Sequence, residues 1–192
     1  MDDPAAPWKN RPMHPRIQDI LEYLDAQRSS LRAAVDQVPP DQRQRRPGGD
    51  RWSAAEILEH LAIVESRVTK LVATQVAAAR EQGLGPETET SPIVSTVDTA
   101  KLLNRGETIT ASDAVLPQEG LDASAAWARL EGTREALRQE VLAADGLALG
   151  KIQVSHRVLG PINLYQMIVV IGAHEARHAE QIREIGTVLL RM

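Results

Sequence analysis

The sequence predicts an all-α protein built as a four-helix bundle, and three observations lead to this prediction. Four stretches of about 20–30 residues carry apolar side chains every three or four positions, which is the spacing of one face of a helix. Proline and glycine, which end helices, lie between these stretches. No stretch shows the alternation of apolar and polar residues that is typical of a half-buried strand. Helices of this length bury their apolar faces against one another.

The first two predicted helices have clear ends. The first spans residues 15–38 and is stopped by the letters "PPDQRQRRPGGD". The second opens with "SAAE", which has the pattern of a capping box. In that motif the Ser53 side chain binds the backbone N–H of Glu56, and the Glu56 side chain binds that of Ser53. Gly83 and Gly85 end this helix.

The last two predicted helices lie in the C-terminal part of the chain. The third opens near Asp122 and ends before Gly146, with Arg134 interrupting its apolar face. The fourth runs from about Asn163 nearly to Met192.

Two connections between these helices are long. Residues 83–121 are more than a hairpin needs, so they favour a crossover connection, and they are predicted to contain a short helix at about 94–104. Residues 147–163 are predicted to be irregular. The expected organisation is an N-terminal arm at 1–14 and one helical domain at 15–192.

The composition excludes several classes of function. The chain has no cysteine, which excludes disulfides, thiolate metal ligands and cysteine nucleophiles. Its net charge is −4 and it has no basic run, so nucleic-acid binding is not indicated. No apolar run is long enough to span a membrane, and the proline-rich N-terminus lacks the apolar core of a signal peptide. We therefore expect a cytoplasmic protein.

The letters "GAHEARHAEQIREI" place two histidines on the fourth helix. His174 and His178 are four residues apart, so they lie about 40° from each other on the helix, on the face that carries the apolar residues. Two buried imidazoles are costly unless their nitrogens have partners. Two interpretations remain open at this point: a divalent metal ion, or a histidine pair hydrogen-bonded to neighbouring helices.

His60 favours the metal. It lies on the apolar face of the second helix, and facing helices of a bundle project such side chains into a common interior. Together with His174 and His178 it would form a three-histidine site for a divalent ion, with nickel or zinc expected. Three protein ligands leave a coordination position open for water or substrate, as catalytic sites do.

The same letters fit the zinc-protease pattern H-E-x-x-H, but the residues that follow do not. One class of these proteases has a glycine where this chain has Gln181, and a third ligand where it has Glu184. Without a turn, Glu184 lies about 240° around the helix from His178 and points away. A protease is therefore not predicted.

Three segments resemble the DinB-like superfamily: "RWSAAEILEHLAIVE", "GAHEARHAEQIREI" and "SHRVLGPINLYQMIVVIGAHEARHAEQI". The resemblance implies a four-helix bundle with up-down-down-up connectivity. It also implies a metal held by one histidine of the second helix and an H-x-x-x-H pair of the last, here His60, His174 and His178. Arg157 stands where the family usually has proline, and residues 85–120 resemble nothing in it.

The resemblance leaves the reaction open. The superfamily includes metal-dependent hydrolases, S-transferases that use low-molecular-weight thiols, a thiol-dependent isomerase and many members without a known activity. We expect a metal-dependent enzyme of the hydrolase or thiol-transferase type. The alternative is a non-catalytic bundle, stabilised by its metal or responsive to metal or stress.

Four further residues are candidates for a part in the chemistry. Glu56 could bind an imidazole as well as cap its helix, and Glu175 could act as a base or be a solvated or interhelical carboxylate. His156 could reach the open end of the bundle or be an ordinary loop histidine. Arg134 could bind a substrate anion or extend to water.

The expected partner is an unknown small molecule, and low-molecular-weight thiols are among the candidates. A homodimer is also expected, because the N-terminal arm with Trp8 and the long connection exceed what the bundle needs. The connection carries apolar residues that must be covered, either by a second subunit or by the chain's own bundle. They are Ile93, Val97, Leu102 and Leu103.

Overall fold

A computed structural model describes residues 12–106, 111–118, 120 and 122–191. These residues form five α-helices and one two-stranded sheet, so the prediction of a mostly helical protein is confirmed. The helices are α1 (Pro15–Asp36), α2 (Ala54–Glu81), α3 (Thr99–Leu103), α4 (Ala123–Ala143) and α5 (Leu164–Leu189). The four long ones correspond to the four predicted helices, and α3 lies in the predicted short helix of the connection.

Local sequence signals explain where the long helices begin and end. The predicted capping box of Ser53 and Glu56 is present at the start of α2. Asn163 and Gln166 form a second one at the start of α5. Gly83 follows α2 with a φ of 75°, in the left-handed region that costs glycine little and other residues more.

The segment before α5 contains two short strands that the sequence did not indicate. Residues predicted to be irregular form an antiparallel hairpin of β1 (Gln153–His156) and β2 (Gly160–Asn163), in which His156 pairs with Gly160. Side chains of β1 alternate between exposed and half-buried. A strand of four residues is too short for this alternation to stand out in a sequence.

Helices α1 and α5 pack in parallel. In the first half of α5, Gly172 faces Tyr23 of α1, and near the end of α5 Gly186 faces Val38, two residues past the end of α1. A Cβ atom at Gly172 would lie 2.5 Å from Cε1 of Tyr23, so this position has no room for a side chain unless the Tyr23 ring moves.

Helices α2 and α4 are parallel as well. Glu59 near the start of α2 binds Arg129 of α4, and Arg80 at the other end of α2 donates to the carbonyl of Ala143. The apolar faces of all four long helices contribute to two clusters of buried side chains.

The connection between α2 and α4 packs on the chain's own helices. Ile93, Val97 and Leu102 are buried there, and Asp19 of α1 accepts hydrogen bonds from the backbone at Ile93 and Val94. Leu103 is 40% exposed. Most of this apolar set is thus covered without a second subunit, and the homodimer stays a prediction. Trp8 lies outside the described residues.

Four charged side chains, one from each long helix, meet in the interior. We call Arg28, Glu65, Arg134 and Glu175 the charge cluster. Nη2 of Arg28 lies 3.1 Å from Oε2 of Glu65 and 2.6 Å from Oε1 of Glu175. Nε of Arg134 lies 2.6 Å from Oε1 of Glu65, and its Nη2 lies 3.0 Å from Oε1 of Glu175. Both carboxylates are only 1% exposed.

Burial and pairing act against each other in this cluster. Burial raises the pKa of Glu175, while Arg134 and Arg28 act to lower it. For Arg28, burial acts to lower the pKa, but its carboxylate partners outweigh that effect and raise it. A buried charge is tolerated only when paired, so each member depends on the others.

Replacing Arg134 by methionine should lower the free energy of unfolding by about 3–5 kcal/mol, because Glu65 and Glu175 each lose a partner while buried. The control is Arg138→Met. Arg138 lies one turn further along α4 and pairs with Asp25 of α1 at the surface, so its loss should cost less than about 1 kcal/mol. Urea unfolding of metal-free protein measures both, and equal losses would contradict a special role for the charge cluster.

Candidate metal centre

The structure brings the three predicted histidines together. His60 lies in the second turn of α2, and His174 and His178 lie near the middle of α5. Nε2 of His174 is 3.3 Å from Nε2 of His60 and 3.0 Å from Nε2 of His178. Two nitrogens bound at about 2.1 Å to one tetrahedral ion are about 3.4 Å apart, so this spacing is close to what an ion requires.

The outer nitrogens of two rings have acceptors as partners. Nδ1 of His60 is 2.8 Å from the backbone carbonyl oxygen of Val115, and Nδ1 of His178 is 2.9 Å from Oε1 of Gln181. A carbonyl oxygen only accepts, so each Nδ1 carries the hydrogen. The Nε2 atoms of His60 and His178 therefore carry lone pairs, and these lone pairs are directed toward His174.

Their surroundings keep the three rings neutral. Burial, followed by His178 and His60, lowers the pKa of His174 well below its usual value. Burial and then His60 lower the pKa of His178 to about 3, and burial lowers that of His60. Neutral imidazoles with converging lone pairs are unfavourable without a cation among them, so the cluster could hold a metal ion.

The side chains around the three histidines are aromatic and basic. The Trp52 ring lies 4.9 Å from the His60 ring, centroid to centroid. Arg177 donates to the carbonyl oxygen of Leu102, at 3.1 Å, at the end of α3. Both carboxylate oxygens of Glu184 bind Arg105 in the connection between α2 and α4. Glu184 is therefore directed to that connection, which agrees with the argument against a zinc protease.

Glu56 and Glu175 both take part in other interactions. Glu56 caps α2 and binds Arg46, and hydrogen bonds from Arg46 and Ser53 lower its pKa although burial acts to raise it. Glu175 is 1% exposed and pairs with Arg28 of α1 and Arg134 of α4, so it is an interhelical carboxylate of the charge cluster. A catalytic role for either residue stays a prediction.

The surroundings of His156 and Arg134 differ from a surface loop and from exposure to water, which were the non-functional alternatives for these two residues. His156 is in strand β1, not in a loop, and its Nδ1 accepts from the backbone N–H groups of Val158 and Leu159. The hydrogen of this imidazole is therefore on Nε2. Arg134 is buried in the charge cluster, so the interpretation that it extends to water was wrong. Substrate binding by Arg134 stays a prediction, one that requires it to leave two carboxylates.

Sequence reasoning missed the partners of the histidines. Gln181 follows His178 by three positions, which places the two side chains on the same side of the helix, and that spacing could have identified it. The Val115 carbonyl belongs to the backbone of a distant segment and leaves no signal in the sequence.

A surface cavity of about 330 Å³ lies away from the three histidines, between the second half of α2 and the segment that leads into β1. Gln75, Gln82, Lys151 and Gln153 are among the residues that line it. No histidine lines it, so the assignment of the metal centre depends on the geometry of the imidazoles.

A family model described as the DinB superfamily matches residues 23–182. That range contains all three histidines and agrees with the resemblance seen in the sequence. Neither a curated protein nor a solved structure matches the chain. Within the described residues, no helix is long and apolar enough to cross a membrane.

Nickel added to metal-free protein should quench the fluorescence of Trp52, because an open-shell ion at the three histidines would lie close to its ring. Trp52→Phe should remove the nickel-dependent part of the quenching. Trp127→Phe should retain it, since the Trp127 ring packs instead against the guanidinium of Arg32, 4.8 Å away. Fluorescence titration of the three proteins measures this. Quenching that survives Trp52→Phe would place the bound ion elsewhere.

Proposed function

The chain belongs to the DinB superfamily, and we propose that it binds one divalent metal ion, nickel or zinc, through His60, His174 and His178. The observation that carries this proposal is the convergence of the Nε2 atoms of three neutral imidazoles, two of which are oriented from outside by carbonyl acceptors. Three imidazoles discriminate little among first-row metals, so the ion that is bound depends on availability.

We also infer that the four long helices form the up-down-down-up bundle implied by the family. Parallel pairs of α1 with α5 and of α2 with α4 support it. Helices α1 and α4 are antiparallel, because Arg28 contacts Glu131 and the earlier residue Asp25 contacts the later Arg138. With α1 taken as up, these directions give up, down, down and up in chain order.

In this proposal the protein is an enzyme that acts on a small molecule. A divalent ion with an open coordination position would supply Lewis acidity there, which makes a water or a thiol lose its proton more readily. The chain has no cysteine, so a thiol must come from a low-molecular-weight cosubstrate. His156 offers an N–H donor at Nε2, because its Nδ1 accepts from the backbone N–H groups of Val158 and Leu159.

One observation favours a second candidate, a non-catalytic protein in which the metal joins α2 to α5. The two carboxylates nearest in sequence to the histidines, Glu56 and Glu175, are held in a helix cap and in the charge cluster. Neither is free to act as a base without breaking these contacts. The metal would then stabilise the fold or report metal status.

Protein prepared without chelator should contain about one equivalent of nickel or zinc per chain, measured by elemental analysis. The His174→Ala/His178→Ala double variant should contain almost none, because one imidazole does not hold these ions. His156→Ala is the matched control and should keep the full content. Equal metal content in wild type and the double variant would refute the site.

Reaction with an electrophile and a panel of low-molecular-weight thiols separates the proposed chemistries. A thiol transferase should form the conjugate only with metal and with one class of thiol, and His60→Ala should lower the rate by at least about a hundredfold. Metal-dependent ester or amide cleavage without thiol would assign a hydrolase. If added metal raises the melting temperature and neither reaction is found, the non-catalytic candidate is favoured.

A further inference from the structure

A short segment of the long connection contacts the outer nitrogen of His60 and the carboxylate of its neighbour Glu59. We call residues 111–118 the cover segment. Its Val115 carbonyl accepts from Nδ1 of His60, and three residues later the backbone N–H of Gln118 donates to Oε2 of Glu59 at 2.8 Å. Two consecutive residues of α2 therefore hold the same segment, one through a metal-ligand ring and the other through a carboxylate.

Glu59 is itself held firmly. It is 1% exposed, and its second oxygen, Oε1, accepts from Arg129 of α4 at 3.0 Å. The carboxylate is thus paired with a cation on one side and accepts from the cover segment on the other. A buried carboxylate with both oxygens satisfied has little freedom to move, so it fixes the position of the Gln118 amide.

The chain between the two attachment points is stiff. The letters are "VLPQ", and proline at 117 fixes its own φ and restricts the preceding residue to extended conformations. Leu116 has φ −67° and ψ 137°, as this restriction requires. With so few free torsions between Gln118 and Val115, a constraint on the Gln118 amide also constrains the Val115 carbonyl.

We propose that Glu59 is a positioning residue for the metal centre, which holds the Val115 carbonyl in place to orient the ring of His60. This proposal rests on the proposed metal binding. Partners that orient a histidine ligand and fix its tautomer raise the affinity of the site for metal. Glu59 does this through the backbone of a segment whose Gln118 is 59 positions away, and the ring nitrogen itself is bound by the Val115 carbonyl.

Metal occupancy and attachment of the cover segment are linked by the same contact. If the attached segment strengthens metal binding, then bound metal strengthens the attachment by the same factor. The cover segment should therefore exchange its amide hydrogens more slowly when nickel is present.

Two variants break the link at different points, and each has a matched control. Glu59→Ala removes the acceptor, whereas Glu59→Gln keeps an oxygen for the Gln118 amide. Gln118→Pro removes the donor N–H outside any helix, whereas Gln118→Ala keeps it. The affinity for nickel should fall about tenfold or more in Glu59→Ala and Gln118→Pro, and change less than about threefold in the two controls. Titration of metal-free protein well below its melting temperature measures the affinity.

Hydrogen exchange of the cover segment gives a second readout that does not depend on activity. Nickel should slow exchange in wild type and in Gln118→Ala, and have little effect in Gln118→Pro. If Glu59→Ala fails to fold, Gln118→Pro decides the question. A Gln118→Pro variant with a lower melting temperature and an unchanged nickel affinity would overturn the positioning role. Wild-type protein that binds no nickel or zinc would instead overturn the proposed function, and this inference with it.

Discussion

The buried charge cluster is the constraint on which the arrangement of the four long helices depends. Each helix contributes one charged residue, and the side chains of Glu65 and Glu175 are almost completely withdrawn from water. A slip of one residue along a helix turns its side chains by about 100° and moves them by about 1.5 Å, which would leave a buried charge without its partner. Glu175 directly follows His174 in α5, and Glu65 lies on the same helix as His60. The registers that pair the charges are therefore also the registers in which the three Nε2 atoms meet.

This constraint concerns specificity more than stability. Buried ion pairs often add little net stability, because removing charges from water costs nearly as much as pairing them returns. The apolar faces of the helices are rich in leucine, isoleucine and valine, and such faces can pack in more than one register with similar energies. Charges that must be paired select among these registers. We infer that the cluster makes the packing unique, while the apolar side chains supply most of the free energy of folding.

The parts of the structure that depend on local signals could be predicted, and those that depend on distant pairs could not. The long helices follow from apolar spacing and from caps such as Ser53 with Glu56, all within a few residues of one another. The histidines could be grouped because each lies on an apolar helix face. Arg134 stood out as a charge on such a face, but its partner Glu65 is 69 residues away, and nothing in the sequence joins them. The same holds for the Val115 carbonyl, a backbone group that every residue possesses.

The carboxylates of the charge cluster are paired with arginines, and this affects which fourth ligand an ion at the proposed site would prefer. Three neutral imidazoles would leave the charge of a divalent ion uncompensated. The neighbouring carboxylate Glu175 is paired with Arg28 and Arg134, so it is not available to balance that charge. Arg177 and Arg105 add positive potential at His178, where they contribute to its lowered pKa after burial and His60. An ion in these surroundings gains most from an anionic fourth ligand. A site of this kind should therefore favour ligands that present a thiolate or another anionic group.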